Sequence, residues 1–311
     1  MPKIGDVGFA RMSGTQKVVL VSDAELGSLF STGFCFLEPN DALDSKYLFY
    51  FLTSEGFQSE KNALAGEGIM GGIKNSDVVN MQIPLPPMAE QQRIVRLLDE
   101  ALEGIDIAKA NAEKNLQNVA NLYQENLRVS FAQSGLGKIK TTIGEQLTLQ
   151  RGFDITKEQQ VSGQVPVVSS GGIKSYHNTS MANGPGVVIG RKGTLGKVFY
   201  LETEYWPHDT TLWVKDFKGN LPKLAYYLFE SLDVRKLDSG TANPALNRNQ
   251  VHPIEIFWPV SEQQQEIVRA LDSLSTESRR LARIYKSKDD ALTMLKNALL
   301  SRAFHSELGV A

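Results

Sequence analysis

The chain has 311 residues, 41% hydrophobic and 22% charged, with a formal net charge of -2 at pH 7. That is long enough for two domains with cores of their own and ordinary for a soluble globular protein. One cysteine, Cys35, excludes an internal disulfide framework and a multi-cysteine zinc site, and the histidines His177, His208, His252 and His305 show no ligand spacing.

No run approaches the roughly eighteen apolar residues of a membrane span. The N-terminal Met-Pro-Lys-Ile-Gly-Asp lacks the apolar core of a signal peptide, so a reducing cytoplasm is expected. The near-neutral charge neither advertises nor excludes nucleic acid, since phosphate contacts need only a local basic face.

Residues 1–87 open on strand-like runs at 5–11 and 17–21, followed by a helical stretch from Ser45 to Leu52. A glycine-rich loop, 66–73, leads to a final strand expected at Val78–Leu85, which Pro84, Pro86 and Pro87 bring to an end. A long helix then runs from Ala89 to about Gln133. Its apolar positions step four then three through Ile94, Leu98, Ala101, Ile105, Ala108, Ala112, Asn115, Val119 and Leu122. That narrow seam predicts a coiled-coil face, and the glycines at 135 and 137 stop the helix.

The rest of the chain repeats this plan. Residues 83–99 match 256–272 at nine positions, Ile83, Pro86, Gln91, Gln92, Ile94, Val95, Arg96, Leu98 and Asp99, where chance gives about one. The run from Val187 to Arg191 with Lys197 answers that from Val7 to Arg11 with Lys17 at an offset of 180, and Lys223–Tyr227 answers Lys46–Tyr50 at 177. The offset then drops to 173, which places small insertions in the first copy's loops. A second helix, 261–305, carries Ile267, Leu271, Leu274, Leu281, Tyr285, Leu292, Leu295 and Leu299 on the same frame. About 40 helical residues make a rod of about 60 Å. The second copy has an extra stretch, Ile139–Asn183, ahead of its Gly186 strand, so the first copy is expected to be truncated at its N-terminus.

Globule, long helix, globule, long helix, with a Pro-x-x-x-x-Gln-Gln-x-Ile-Val box at each junction, resembles the specificity subunit of type I restriction–modification enzymes. Ile143-Gly144-Glu145, Gly152-Phe153, Val165–Ile173 and Gly186–Gly193 carry the likeness in the second globule. The resemblance covers essentially the whole chain. It implies an α+β fold with two α/β target-recognition globules, the first incomplete, joined by two long antiparallel coiled-coil helices in a pseudo-twofold repeat. The segments expected are 1–87, 88–137, 138–260 and 261–311: a truncated recognition domain, a central spacer helix, a complete recognition domain and a C-terminal spacer helix.

The resemblance further implies double-stranded DNA as ligand, read as two short blocks with a non-specific gap. Methylase subunits, two per chain, and restriction–translocase subunits are the implied partners, with no membrane. S-adenosylmethionine, ATP and magnesium belong to those partners, and no cofactor or metal is expected in this chain.

Arg191, Lys192, Thr194 and Lys197 form the leading DNA-contact candidate, because their glycines let backbone approach phosphate while the cations supply charge and bidentate guanine recognition. The stretch fails as a nucleotide-binding P-loop, since Arg191 stands where the first glycine is needed and Val198 where a hydroxyl would hold magnesium. Ser169, Ser170, Lys174 and Tyr176 either face DNA or form a plain Gly/Ser loop. Asn247 and Arg248, behind Thr241–Pro244, read first as a turn and helix start, with adenine and phosphate contact the alternative. The pair His208-Asp209 reads as structural.

Gln91, Gln92, Ile94, Gln264, Gln265 and Ile267 occupy equivalent first turns of the two rods. Local capping explains any one of them, while repetition at both junctions favours a paired role, with docking of the methylase weighed evenly against capping. No amino-methylase motif is present, since Asn243-Pro244-Ala245-Leu246 lacks its second proline and aromatic. The expected role is therefore non-catalytic. The rivals are a catalytic restriction–methylase fusion, a coiled-coil scaffold without DNA readout, and a silent or truncated specificity-gene copy.

Overall fold

A computed structural model describes residues 2–65, 71–233 and 245–304. It divides into two compact units, Met1–Asn115 with Ile284–Ala311, and Leu116–Arg283. Each long helix contributes to both units.

In the first unit β1 (Val7–Ala10) is the centre of an antiparallel sheet, flanked by β2 (Val18–Leu20) and β3 (Phe34–Leu37). β3 adds a strand to those expected from the sequence. Val7 and Phe9 are fully buried against Leu48, Phe51 and Leu52 of α1 (Ser45–Thr53) and Phe57 of α2 (Glu55–Leu64). The Asp44 carboxylate accepts the amides of Lys46 and Tyr47 and so starts α1. Most of the glycine-rich loop, 66–70, lies outside the described residues.

The strand expected at Val78–Leu85 is not formed. Its first residues belong to α3 (Asn75–Asn80), and 81–87 run on without a ladder partner. The unit is closed by the start of α4 (Met88–Ala132) and the last turns of the C-terminal helix, whose Leu300 and Ala303 pack with Ile94, Leu98 and Leu102. Ion pairs from Lys109 to Asp289 and from Lys296 to Asp106 fix this pairing as antiparallel.

The second unit is fuller. β4 (Lys138–Thr142) leads through α5 (Ile143–Gln146) to β5 (Thr148–Arg151), then β6 (Val165–Ser169), β7 (Gly172–His177), β8 (Gly186–Gly190), β9 (Val198–Leu201), β10 (Trp206–Pro207) and β11 (Thr211–Asp216). After α6 (Pro222–Ser231) and α7 (Arg248–Val251) come β12 (Glu255–Pro259) and α8 (Ser261–Phe304). Three sheets result, ordered β5-β11-β8-β9, β10-β6-β7 and β12-β4. Leu127 and Phe131 of α4 join Val268 and Leu271 of α8 in the core beneath the four-stranded sheet.

The internal repeat holds down to single hydrogen bonds. Val7↔Leu20 and Phe9↔Val18 become Val187↔Tyr200 and Ile189↔Val198, and Ala10↔Phe34 becomes Gly190↔Thr211. Ala10 donates to the Lys17 carbonyl as Gly190 does to Lys197, and Ile73 donates to Arg11 as Leu246 does to Arg191.

The junctions are copied as well. Gln91 is 0% exposed; its Oε1 accepts the Asp44 amide at 2.9 Å, and its Nε2 donates to Ala42 O and Pro86 O at 2.8 and 2.9 Å. Gln264, 3% exposed, accepts the Leu221 amide at 2.9 Å and donates to Asn220 Oδ1 and Pro259 O at 2.6 and 3.2 Å. Tyr50 donates to Asp99, and Tyr227 to Asp272, each at 2.5 Å.

The helical seam drifts from the strict four-three frame. Leu122 and Leu295 are exposed; Tyr123 and Lys296 take the inward places, Tyr123 donating to Glu230 at 2.6 Å. A helix of 3.6 residues per turn leaves a 3.5-residue repeat after a few heptads.

Two outcomes test these packing arguments. Gln264→Ala takes the side-chain partner from the Leu221 amide and the Pro259 carbonyl, while Asn220 Oδ1 keeps Trp258 Nε1 at 2.7 Å, and should cost about 1–3 kcal/mol in denaturant unfolding, whereas the exposed neighbour change Gln265→Ala should stay within about 0.5 kcal/mol. His252 Nε2 accepts the Leu149 amide at 3.0 Å, which only a neutral ring can do. Burial, then Arg248 and Lys218, hold its pKa below the ordinary histidine range. The unfolded chain therefore binds the proton first, so stability should fall as pH drops below about 6.5, and His252→Gln should flatten that limb of the pH–stability curve.

Candidate nucleic-acid interface

The loop between β8 and β9 is built by glycine. Gly193 and Gly196 have φ of 79° and 75°, and a Cβ on Gly190 would collide with the Thr194 carbonyl. Gly190 N donates to Lys197 O at 2.8 Å and Gly196 N to Gly190 O at 2.9 Å, closing the loop on itself. Arg191 and Lys192 both donate their amides to Thr210 O, at 2.9 and 3.1 Å, which ties the loop to the start of β11.

Several expected residues meet here. Ser170 N donates to Thr210 Oγ1 at 3.2 Å, and Lys197 Nζ donates to Gly171 O at 3.2 Å while standing 5.2 Å over the Phe199 ring. Leu246 N donates to Arg191 O at 3.0 Å, which brings Asn247 and Arg248 alongside. Loops 169–172, 191–197, 208–210 and 245–248 thus share one end of the second unit. Lys192, Thr194, Lys197 and Arg248 are exposed there.

Three residues outside the sequence-based selection organise the charge. Arg151 Nη2 pairs with Asp209 Oδ2 at 2.8 Å, Arg191 Nη1 donates to Asp209 O at 3.3 Å, and His208 Nδ1 lies 3.1 Å from both Asp209 Oδ1 and Thr210 Oγ1. Burial would raise the Asp209 pKa, but the hydrogen bond from Arg151 and the charges of His208, Arg151 and Lys192 hold it below the usual aspartate range. Burial and then the like charge of Arg151 lower the Arg191 pKa, partly offset by Asp209. One carboxylate therefore lets two guanidinium groups approach each other. Asp154, His208 and Asp209 bring ligand atoms within 4.8 Å of one another, but Asp209 already serves Arg151. A carboxylate close to a basic loop in sequence was the available signal, and it reads as a structural pair.

Other expected residues stand differently. Ser169 spends its hydroxyl on Gly172 O at 2.9 Å, within its own turn. Lys174 bulges out of the β6–β7 ladder, which pairs Val167 with Ser175 and Val168 with Ile173; Tyr176 is exposed further along β7, and neither joins the loop cluster by a described contact. The Oδ1 of Asn247 accepts the Asn249 amide at 3.0 Å as the cap of α7. This is the turn-and-helix-start reading, and the second lone pair of the oxygen and the amide nitrogen are left for another contact.

At the helix starts, Gln91 and Gln264 are buried in their own units and are corrected to structural residues, inaccessible to a partner. Ile94 is buried and Ile267 half-buried in their cores, whereas Gln92 and Gln265 are exposed. Thr241–Pro244 lie outside the described residues.

The first unit carries the same loop at Arg11–Lys17. Arg11 N donates to Gly33 O at 2.9 Å as Arg191 does to Thr210, and Met12 bridges Gly72 as Lys192 bridges Ala245. The wholly buried Lys61 braces it, donating to the carbonyls of Ala10 and Thr15. Arg11 and Lys17 are legible in the sequence as counterparts of Arg191 and Lys197, but only the shared loop geometry makes them candidates.

A model of the type I restriction modification DNA specificity domain matches residues 4–118 and 140–286. The chain belongs to that family. It is 23% identical over 263 residues to the type I restriction enzyme EcoprrI specificity subunit of Escherichia coli, covering 80% of this chain and 65% of that subunit. It is 22% identical over 355 residues to the StySPI specificity subunit of Salmonella potsdam, covering 97% and 74%. This specificity-family chain thus spans just under two thirds of the E. coli relative.

Its fold is that of solved family structures. A chain from a type I restriction–modification system superposes with a TM-score of 0.85 at 21% identity, covering 97% of this chain and 82% of that one. The HsdS subunit of Thermoanaerobacter tengcongensis gives 0.63 at 21% identity, over 98% and 82%. Among the described residues no helix is long and apolar enough to cross a membrane.

Asp209→Asn should lower stability at neutral pH by leaving Arg151 and Arg191 without their counter-charge. Because the Asp209 pKa is depressed in the fold, the stability it contributes is present above the ordinary aspartate value of about 3.9 and is lost as pH falls through the folded value. The unfolding midpoints of the variant and the parent should therefore converge at low pH.

Proposed function

We propose that this chain is the DNA-reading subunit of a type I restriction–modification assembly, acting in the cytoplasm on double-stranded DNA. The observation that carries the reading is one arginine-led, glycine-containing loop, built twice in the same strand register with three hydrogen bonds in common. Such a loop suits DNA, because exposed backbone and cations meet phosphate while an arginine fork can reach guanine. Two units with one loop each favour a target of two short blocks separated by unread base pairs.

In the second unit Arg191, Lys192, Thr194, Lys197 and Arg248 are the proposed contacts, with Arg151 added; Ser170 positions the backbone, and Ser169, Lys174 and Tyr176 would flank the duplex. In the first unit Arg11 and Lys17 take the equivalent roles. Residues outside the read face, Gln92 and Gln265 among them, are the proposed docking points for two methylase subunits, and through them for the restriction–translocase subunit. The chemistry, with S-adenosylmethionine, ATP and magnesium, is assigned to those partners, and this chain acts without catalysis.

Sequencing the methylated sites of a host that carries this chain and its methylase should return a split motif. Arg191→Ala with Lys197→Ala should weaken binding to a duplex carrying that motif and reduce the slope of log K against log salt by about 0.9 for each phosphate that is no longer neutralised. Arg11→Ala with Lys17→Ala should relax the other block. An unchanged slope in the first double variant removes that loop from the interface.

A further inference from the structure

The second unit holds a lysine in a way the first does not. Lys223, in the first turn of α6, sets its ammonium 4.3 Å from the centre of the Tyr200 ring, 5.3 Å from that of Tyr226 and 6.0 Å from that of Tyr227. The Asp272 carboxylate, which accepts the Tyr227 hydroxyl, stands back at 3.9 Å. The matching lysine of the first unit, Lys46, instead pairs with Asp99 at 2.7 Å, although Asp99 accepts the Tyr50 hydroxyl in the same way.

The difference lies in one strand residue. Tyr200 stands opposite Val187, in the place that Leu20 fills opposite Val7. An ammonium is attracted to the negative face of an aromatic ring. Where the strand supplies a ring the lysine goes to it, and where it supplies leucine the lysine stays with its carboxylate.

That strand matters because of what it carries. β9 begins directly after Lys197, and it is the edge of its sheet, paired with β8 on one side and with no other described strand. One ladder fixes its register, and side-chain packing must supply the remaining restraint. Leu195 and Val198 pack on the same core cluster as Tyr200, and Tyr226 meets Tyr200 edge to face at 5.9 Å. The helix behind is itself held, since Tyr226 of α6 and Tyr123 of α4 both donate to Glu230, at 2.5 and 2.6 Å. Lys223 thus closes a run of contacts from the long helices, through α6, to the strand on which the loop ends.

We propose that Lys223 is a positioning residue for the second loop, acting through Tyr200 to fix β9 and with it the placement of Thr194 and Lys197. The proposal rests on the reading of Arg191–Lys197 as a DNA-contacting loop. The ammonium itself is spent on the rings and the carboxylate of its own unit; held over Tyr200, it pins the edge strand to α6. Lys46, engaged by Asp99, has no such effect on the first loop, which is braced by Lys61 instead. The two readers are therefore tuned from different places, the first from beneath its loop and the second from the helix behind its edge strand.

The test titrates the full chain, with its methylase, onto duplexes that carry the split motif found by sequencing methylated sites. One block is altered at a time, and the readout is the affinity lost per altered block. Arg191→Ala with Lys197→Ala first marks the block that the second unit reads. At that block Lys223→Met and Tyr200→Leu should each lower the discrimination about fivefold, in keeping with one cation–π contact. The two changes together should lower it no further, because they break the same contact. Lys223→Arg should keep it, since a guanidinium also lies over an aromatic face. The other block should be unaffected by all of these, and Lys46→Met, at an exposed ion pair, should leave both blocks within about twofold. Equal losses at both blocks, or an unchanged second block beside a sensitive Arg191 and Lys197 double variant, overturn the proposal while the DNA reading stands. If that double variant alters neither block, the DNA-contacting role of the loop falls, and this proposal with it.

Discussion

A primary amide buried at the first turn of each long helix is the constraint on which both units depend. Gln91 and Gln264 each present one acceptor and two donor hydrogens to backbone or side-chain groups from two other segments. No carboxylate could do this, having only acceptors, and no apolar residue could satisfy the amide that starts α1 or α6. The amide therefore joins the start of a globule helix, the proline-rich exit and the long helix at one point. One turn of the short helix further on, Tyr50–Asp99 and Tyr227–Asp272 repeat the join, so each long helix is fixed both in position and in rotation against its own globule.

The strands carry identical registers in both copies, but what lies between them differs. Arg11-Met12-Ser13-Gly14-Thr15-Gln16-Lys17 has two cations where Arg191-Lys192-Gly193-Thr194-Leu195-Gly196-Lys197 has three. The first loop leans on the buried Lys61, and the second on the Asp209 carboxylate with its two arginines. A shared frame with different bracing suits the proposed reading of two different base blocks, because specificity resides in loop side chains and stability in the frame.

The sequence disclosed whatever depended on repetition. The three offsets of 180, 177 and 173 are the true structural offsets, because insertions fall between ladders and never within them. What depended on a partner stayed hidden. Val78–Leu85 reads as a strand because its copy in the second unit is one, yet a strand needs a ladder, and none of the described first-unit residues supplies it. Repetition of Gln91 and Gln264 pointed equally to an outer partner and to an inner join, and only their burial distinguishes the two. The misplaced Leu122 and Leu295 have a simpler cause, since a heptad count accumulates error that the local pattern cannot reveal.

Arg151 shows why a charged loop end is hard to recognise from sequence. It lies 58 residues from Asp209 and 40 from Arg191, on a strand that reads as ordinary. Only the β5–β11 pairing, which sets Leu212 opposite Arg151, brings it to the carboxylate. Arg151 pairs with the Asp209 carboxylate and Arg191 with the Asp209 backbone carbonyl, with Lys192 alongside and Asp154 within 4.8 Å of His208 and Asp209. Asp209 therefore does more than balance charge: its side chain orients one guanidinium and its backbone restrains the second, so that both arginines keep less side-chain freedom than free ones.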